Sequence, residues 1–579
     1  MGVFITMKQR LLARVSPQAL LVAALLLLNV FFVIFRFFPT IKDISLWDDA
    51  GYINQGRTLL QGVFPKFSEN PFMALLFAIS YLPFQHDNFW MLHTVTVGRI
   101  LMFILMWLGT CLVANQISGP KWYIMVGLMF ASTVTVDIME NPSDTFFAGL
   151  SALAFWQMLS YHNTRRVKHL ALTSLFIGLA ALARNDGLIL FALFLITSLF
   201  YLKSSQNKLQ HLAAAILPFL VLVGGYVLAY GAFTGDFDLG TQERSYLAFR
   251  QGQMELSPTD PACALGPTKC AGNAADVLYG SSAENGNSIF RAIARNPRAY
   301  LQRLVTTTSL LPGLANDAYG KRLFYAWLFL AMLGIFALLR DKKYALLALC
   351  LVWIAPLGTY FLTFFRAGYL RMPLCVIFLL AGVGIIELVE SLNNRRKWVW
   401  LGILLFLTVV GVGRSLNYLY FSTIILLASM ALGLWVTRSR SEFSYKTELI
   451  LMVFLAGGFI MRGGFTPPII PVLGQIPEEK AILSLERRLP ENSIVGAGAP
   501  GIPWEARMTY SPLSGKDFLA KSPLEYYTIL KKAGVKAIYV DNIVTNNTPL
   551  WALIKPGIGK YYQLTFSGRS NSVLILLLK

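Results

Sequence analysis

Charge is scarce in this sequence. Only 14% of its 579 residues are Asp, Glu, Lys or Arg, where soluble proteins carry about 25%. Hydrophobic residues make up 55%, and the mean hydropathy is +0.56. A chain this poor in charge excludes a soluble multidomain enzyme, and its apolar content excludes disordered and collagen-like readings. Cysteine is scarce too. There are five, too few for a disulfide scaffold and in no metal-ligand spacing. Cys111, Cys350 and Cys375 lie inside apolar runs and read as small buried hydrophobes. The five histidines form no cluster along the chain, so no histidine metal centre is expected. Acids are outnumbered 30 to 50, for a net charge of +20, but the basic residues are scattered between apolar runs. A nucleic-acid partner would need them gathered on one polar face, so that function is excluded as well. No internal repeat or low-complexity tract stands out.

Long apolar runs are what the sequence does have. They predict a polytopic α-helical membrane protein. The first, about Ala19 to Phe38, follows Lys8, Arg10 and Arg14 and is too long for a signal-peptide core. Further spans are expected near 99–117, 121–138, 144–161, 168–183, 187–203, 209–232, 322–340, 344–364, 372–391, 398–413, 416–436 and 447–462, thirteen in all. The shorter apolar piece Pro71 to Phe84 has the length of an interfacial or re-entrant helix. Basic residues recur in alternate gaps: Lys121, then Arg165, Arg166 and Lys168, then Lys203 and Lys208, then Arg340, Lys342 and Lys343. Arg395, Arg396 and Lys397, and then Arg438, Arg440 and Lys446, continue the alternation. The positive-inside rule then places the N-terminus on the cytoplasmic side and the C-terminus on the outer side.

Two units follow from this. Residues 1–462 form a membrane module with outer loops at 39–98 and 233–321, and 463–579 form a small extracytoplasmic α/β domain. The second unit shows β-rich runs at Ser493–Gly498, Lys536–Val540, Tyr561–Phe566 and Ser572–Leu578, with helices expected at Pro523–Ala533 and Pro549–Ile554. Cys263 and Cys270 share the outer loop 233–321, and a bridge between them is expected on the oxidising side. Gly496-Ala497-Gly498-Ala499-Pro500-Gly501 matches a dinucleotide-binding glycine pattern after a strand. Pro500 and Pro503 interrupt the helix that would have to follow, so the nucleotide reading is set aside.

The polar residues of the outer turns carry the chemistry. Asp48 and Asp49 stand together shortly after the first span, in Leu46-Trp47-Asp48-Asp49-Ala50-Gly51-Tyr52. Two adjacent carboxylates at an interface repel each other, and they call for a divalent metal, a basic partner or a catalytic role. A plain helix start, where Asp suits the dipole, is the simpler alternative. Glu140 and Asp144 lie in Glu-Asn-Pro-Ser-Asp, where Asp144 could equally cap a helix. Arg184 and Asp186 lie in Ala-Arg-Asn-Asp-Gly. Arg366, Tyr369 and Arg371 lie in Phe-Arg-Ala-Gly-Tyr-Leu-Arg-Met-Pro. Arginines on the outer side run against the charge rule, and an anion such as a lipid phosphate would explain them.

Trp-Asp-Asp-Ala-x-Tyr followed by Gly-Arg-Thr-Leu-Leu-Gln-Gly resembles the acidic signature of the GT-C glycosyltransferases. That superfamily uses polyprenyl-phosphate sugars and includes protein O-mannosyltransferases and lipid A aminoarabinose transferases. Asn70-Pro71-Phe72 stands where the superfamily often has His-Pro-Pro, and the acidic pair here is Asp-Asp where the family has Asp-Glu. The layout is similar to the aminoarabinose-transferase branch over the whole chain, and the motifs over its first half. The resemblance implies transfer of a sugar, with inversion, from a polyprenyl phosphate to an envelope lipid, glycan or protein acceptor. Asp48 would be the general base and Asp49 would orient it or the acceptor; Arg184, Arg366, Tyr369 and Arg371 would surround the donor phosphate, and Glu140 and Asp144 would complete an acidic cavity. The alternatives carried from the sequence are a transporter or lipid flippase, an O-antigen ligase or polymerase, and a receptor.

Overall fold

The computed structural model describes residues 47–86, 90–118, 142–202, 207–256, 275–318, 324–363, 365–366, 368–393, 477–513, 520–541, 544–545, 547–567 and 573–579. The first part is helical: α1 (Trp47–Leu60), α2 (Pro71–Tyr81), α3 (Trp90–Ser118), α4 (Pro142–Thr164), α5 (Val167–Ala183) and α6 (Asp186–Leu202). Helix α7 (Lys208–Thr234) comes next, followed by α8 (Thr241–Leu256), α9 (Ile289–Arg295), α10 (Pro297–Ala318), α11 (Phe324–Arg340), α12 (Tyr344–Ile354) and α13 (Leu374–Asn393).

Every expected span that falls within the described residues is a helix. Those at 19–38, 121–138, 398–413, 416–436 and 447–462 lie outside the described residues, as do Cys263 and Cys270. Among the described residues, three helices are long and apolar enough to cross a membrane: His93–Ile117, Lys208–Thr234 and Tyr344–Phe361. Shorter apolar helices at Val167–Ala183, Asp186–Tyr201, Leu330–Arg340 and Leu374–Gly384 stand beside them. Helix α3 starts nine positions earlier than the apolar run suggests. Arg99 lies inside it, buried against a carboxylate, and therefore does not mark a wet helix end.

Local chemistry explains the shapes of individual helices. Pro218 inside α7 has no N–H and crowds the preceding turn, and the helix widens into a π turn directly after it, at Leu220–Gly224. Helix α12 ends in a 3-10 segment, Ala355–Phe361, opened by Pro356. Helix α2, the expected interfacial piece, opens with Pro71 at its first position after Asn70, whose backbone is left-handed at φ 63°. It buries Met73, Ala74, Phe77 and Ala78 and exposes Leu75 and Ile79, so both of its faces are apolar.

One core runs through α1 to α6, α12 and α13, with Phe103, Trp107, Phe155 and Trp353 among its large side chains. The indole of Trp353 donates to the Ser151 carbonyl at 3.0 Å, which answers its polar atom inside the core. A smaller core of Tyr246, Phe249, Tyr279 and Tyr300 holds α8 to α10 together.

The C-terminal part is a five-stranded sheet with helices on both faces. Its elements are α14 (Pro477–Arg488), β1 (Ile494–Ala497), α15 (Gly501–Glu505), β2 (Thr509–Pro512), α16 (Pro523–Lys532), β3 (Ala537–Val540), α17 (Thr548–Ile554), β4 (Tyr562–Ser567) and β5 (Leu574–Leu578). The strand order is β2-β1-β3-β5-β4, with β1 parallel to β2 and β3, and β5 antiparallel to β3 and β4. Alternation along the strands separates two cores. Val495, Ala497, Tyr539 and Ile575 face one side with Leu485, while Ile538, Val540, Leu574 and Leu576 face the other with Tyr526 and Leu530. A sheet covered on both faces needs unbroken apolar strands, as Ala-Ile-Tyr-Val and Leu-Ile-Leu-Leu-Leu provide.

Candidate active site

The acidic turn opens α1. Asp49 is 3% exposed and Arg99, from α3, is 5% exposed. The guanidinium grips the carboxylate with two bonds: Nε donates to Oδ1 at 3.2 Å and Nη2 to Oδ2. Charges this deeply withdrawn persist only when each answers the other, and the fork geometry of arginine suits a carboxylate. Asp48 precedes Asp49 within the first turn of α1. The basic partner that the sequence called for is therefore Arg99, and it belongs to Asp49.

The same helix docks on α2 through the remaining motif residues. Asn70 Nδ2 donates to the Tyr52 hydroxyl at 2.8 Å, and the Tyr52 ring lies parallel to that of Phe77. Gly56 lies so close to α2 that a Cβ would come within 2.6 Å of the Ala78 nitrogen. Trp-Asp-Asp-Ala-x-Tyr and Asn-Pro-Phe are thus two halves of one contact.

A second polar cluster joins the other outer-turn motifs. Asp144, 3% exposed, lies in the first turn of α4. Its Oδ1 accepts from Arg184 Nη1 at 2.5 Å, and Asp186 Oδ2 accepts from Arg184 Nε. Arg184 Nη2 donates to the Tyr360 hydroxyl at 3.1 Å, and the guanidinium lies over the Tyr369 ring at 4.7 Å. The Tyr360 and Tyr369 rings stack at 4.3 Å. Burial works against the charge of Arg184, but Asp144, Tyr360 and Asp186 around it override that and raise its pKa. Burial likewise raises the Tyr369 phenol. Gly187 allows the tight turn from α5 into α6, because a Cβ there would meet Ala181 at 2.4 Å. Ala-Arg-Asn-Asp-Gly is therefore a turn that holds one guanidinium between two carboxylates.

Of the residues expected from the sequence, Asp144, Arg184 and Tyr369 come together in this cluster, and Asp49 pairs with Arg99. Arg366 is exposed, and Arg371 ends the 3-10 turn that starts at Tyr369. Glu140 lies outside the described residues. Arg99 and Tyr360 were not anticipated as site residues. An arginine inside an apolar run is the signal that would have found Arg99; Tyr360 carries no such signal. Beside the cluster, a shallow cleft with room for little more than a water molecule is lined by Phe147, Leu190, Trp353, Leu357 and Met372, with Asp186 also in its lining. Among the described residues, no group of three His, Cys, Asp or Glu could hold a metal ion.

No protein-family model and no curated sequence matches the chain. Two solved structures of ArnT from Cupriavidus metallidurans share its fold. The one bound to undecaprenyl phosphate superposes with a TM-score of 0.55 at 13% identity, over 96% of this chain and 97% of ArnT. The apo structure gives 0.56 at 14% identity over the same shares. The likeness is one of fold, and it extends over nearly the whole of both chains.

Proposed function

We propose that this chain is an integral-membrane glycosyltransferase that moves a sugar from a polyprenyl monophosphate to a hydroxyl or amine of an envelope lipid, glycan or protein. The observation that carries the reading is the acidic turn of α1, seated by a buried Arg99–Asp49 pair on a fold shared with ArnT, whose structure binds undecaprenyl phosphate. A lipid-linked donor requires a site at membrane depth, and α1 opens beside apolar helices. A transporter would place its ionisable groups midway along broken helices. Here Asp144, Arg184 and Asp186 sit at helix starts and in the turn between helices.

In this reading the chain works at the outer face of a bacterial inner membrane, with its N-terminus in the cytoplasm and its C-terminal sheet outside. Asp48 takes the proton of the acceptor as that group attacks the anomeric carbon. The bond from that carbon to the phosphate oxygen breaks on the opposite face, its electron pair leaves with the phosphate, and the configuration inverts. Asp49 is committed to Arg99 and holds α1 in place. Arg366 and Arg371 stabilise the growing charge of the leaving phosphate, with Arg184 in support because it shares its charge between two carboxylates. Tyr369 holds Arg184, and Glu140 and Asp144 form the acidic wall.

Asp48→Asn tests this reading, since an amide keeps the shape of the side chain but takes no proton. Turnover of a radiolabelled polyprenyl-phosphate sugar by the purified variant is expected to fall by about 10²–10⁴-fold with donor binding retained. Wild-type turnover in a folded variant would remove Asp48 from the chemistry.

A further inference from the structure

The glycine-rich turn that imitates a nucleotide-binding loop leads to a joint between the two parts of the chain. It follows β1 and delivers α15, which is only five residues long and ends at Trp504 and Glu505. Trp504 packs against the core of the membrane helices, 300 or more residues away from α1 to α6 in sequence. Glu505 is 0% exposed, and its Oε1 accepts a hydrogen bond from the Met91 backbone N–H at 3.2 Å. A carboxylate taken out of water is costly unless its charge is answered. Here the answer includes the first turn of α3, where backbone N–H groups have no partner within the helix and the dipole is positive.

Helix α3 also carries Arg99, roughly 12 Å further along its axis at 1.5 Å per residue. Its first turn touches the neighbouring helices too. The Trp90 ring meets that of Tyr81 edge-on at 5.2 Å, and the Arg57 guanidinium of α1 lies 5.8 Å from it. A helix pinned at its first turn cannot slide along its axis, so its charged partner for α1 stays at a fixed height.

We propose that Glu505 is a positioning residue: it couples the C-terminal sheet to α3 and, through the Arg99–Asp49 pair, sets the seat of the acidic turn of α1. Its effect on turnover rests on the glycosyl-transfer reading above; the coupling itself does not.

Hydrogen exchange on the full-length protein in detergent separates the two. In Glu505→Ala, exchange of the amides from Met91 to Thr94 and of those from Tyr52 to Gln55 is expected to accelerate about tenfold or more, with β3 unchanged. Glu505→Gln keeps an acceptor oxygen but loses the charge; it should show a smaller increase at both segments, and it serves as the readout if the alanine variant does not fold. Turnover should fall roughly tenfold at unchanged donor KM, as a misplaced but intact site predicts. Faster exchange in α3 alone, with α1 as in the wild type, would reduce Glu505 to a helix cap and overturn the proposal. So would unchanged exchange in both segments, or unchanged turnover with a loosened α1. If the wild type transfers no sugar at all, the proposed function fails while the exchange data still decide the coupling.

Discussion

The two ends of the helix bundle treat polar side chains in opposite ways. Where α4 begins, Asp49, Arg99, Asp144 and Arg184 are withdrawn from water and answered by full charges. Where α4 ends, the buried contacts join phenols to imidazoles: the Tyr161 hydroxyl with His211 Nδ1 at 2.7 Å, and His162 Nδ1 with the Tyr201 hydroxyl at 2.8 Å. Among the ion pairs described at that end, Arg340 with Glu387 leaves 60% of the arginine side chain exposed. Holding helices together needs no buried charge, because apolar packing and neutral hydrogen bonds do it at lower cost. Among the described residues, the ion pairs with both partners withdrawn from water lie where α4 begins, the end at which the proposed chemistry is expected.

The contrast can be broken by mutation. The largest effect is expected from Arg99→Met, which removes the charged partner of buried Asp49: a loss of about 3–5 kcal/mol, read from thermal unfolding of the purified protein. Adding Asp49→Asn should recover part of that loss, and a wild-type melt in the single variant would contradict the contrast. Tyr360→Phe removes one hydrogen bond to a charged group, about 1.5–3 kcal/mol. Tyr369→Leu removes the ring beneath Arg184, roughly 0.5–2 kcal/mol for a cation–π contact, and Tyr369→Phe should retain most of the stability. At the far end, Arg340→Ala should cost about 1 kcal/mol or less, and the difference should shrink further in high salt. An Arg340 effect as large as that of Arg99 would erase the distinction between the ends.

Most of the fold was legible in the sequence because hydropathy and alternation carry it. The helices at Val167–Ala183 and Asp186–Leu202 follow from uninterrupted apolar runs, and β3 and β5 from strands apolar on both faces. Strand β2 was not legible: Thr-Tyr-Ser-Pro is an edge strand with exposed ends and little apolar pattern. The site was legible as a set of turns but not as pairs. Nothing local says which carboxylate of Asp48-Asp49 is the buried one, because the difference is made by an arginine 50 positions away. Tyr360 is hidden for the same reason, since its partner Arg184 is 176 positions away.

Those separations bear on how the protein is made. Asp49 and Arg99 both emerge from the ribosome long before α4, and Arg184 follows Asp144 by 40 positions and precedes Asp186 by two. By the time α6 is synthesised, Asp49 and Arg99, and Asp144, Arg184 and Asp186, all exist, whereas Tyr360 and Tyr369 arrive only with α12 and the turn beyond it. The Arg99–Asp49 pair and the Arg184 contacts with Asp144 and Asp186 can therefore form before the second half of the chain is made.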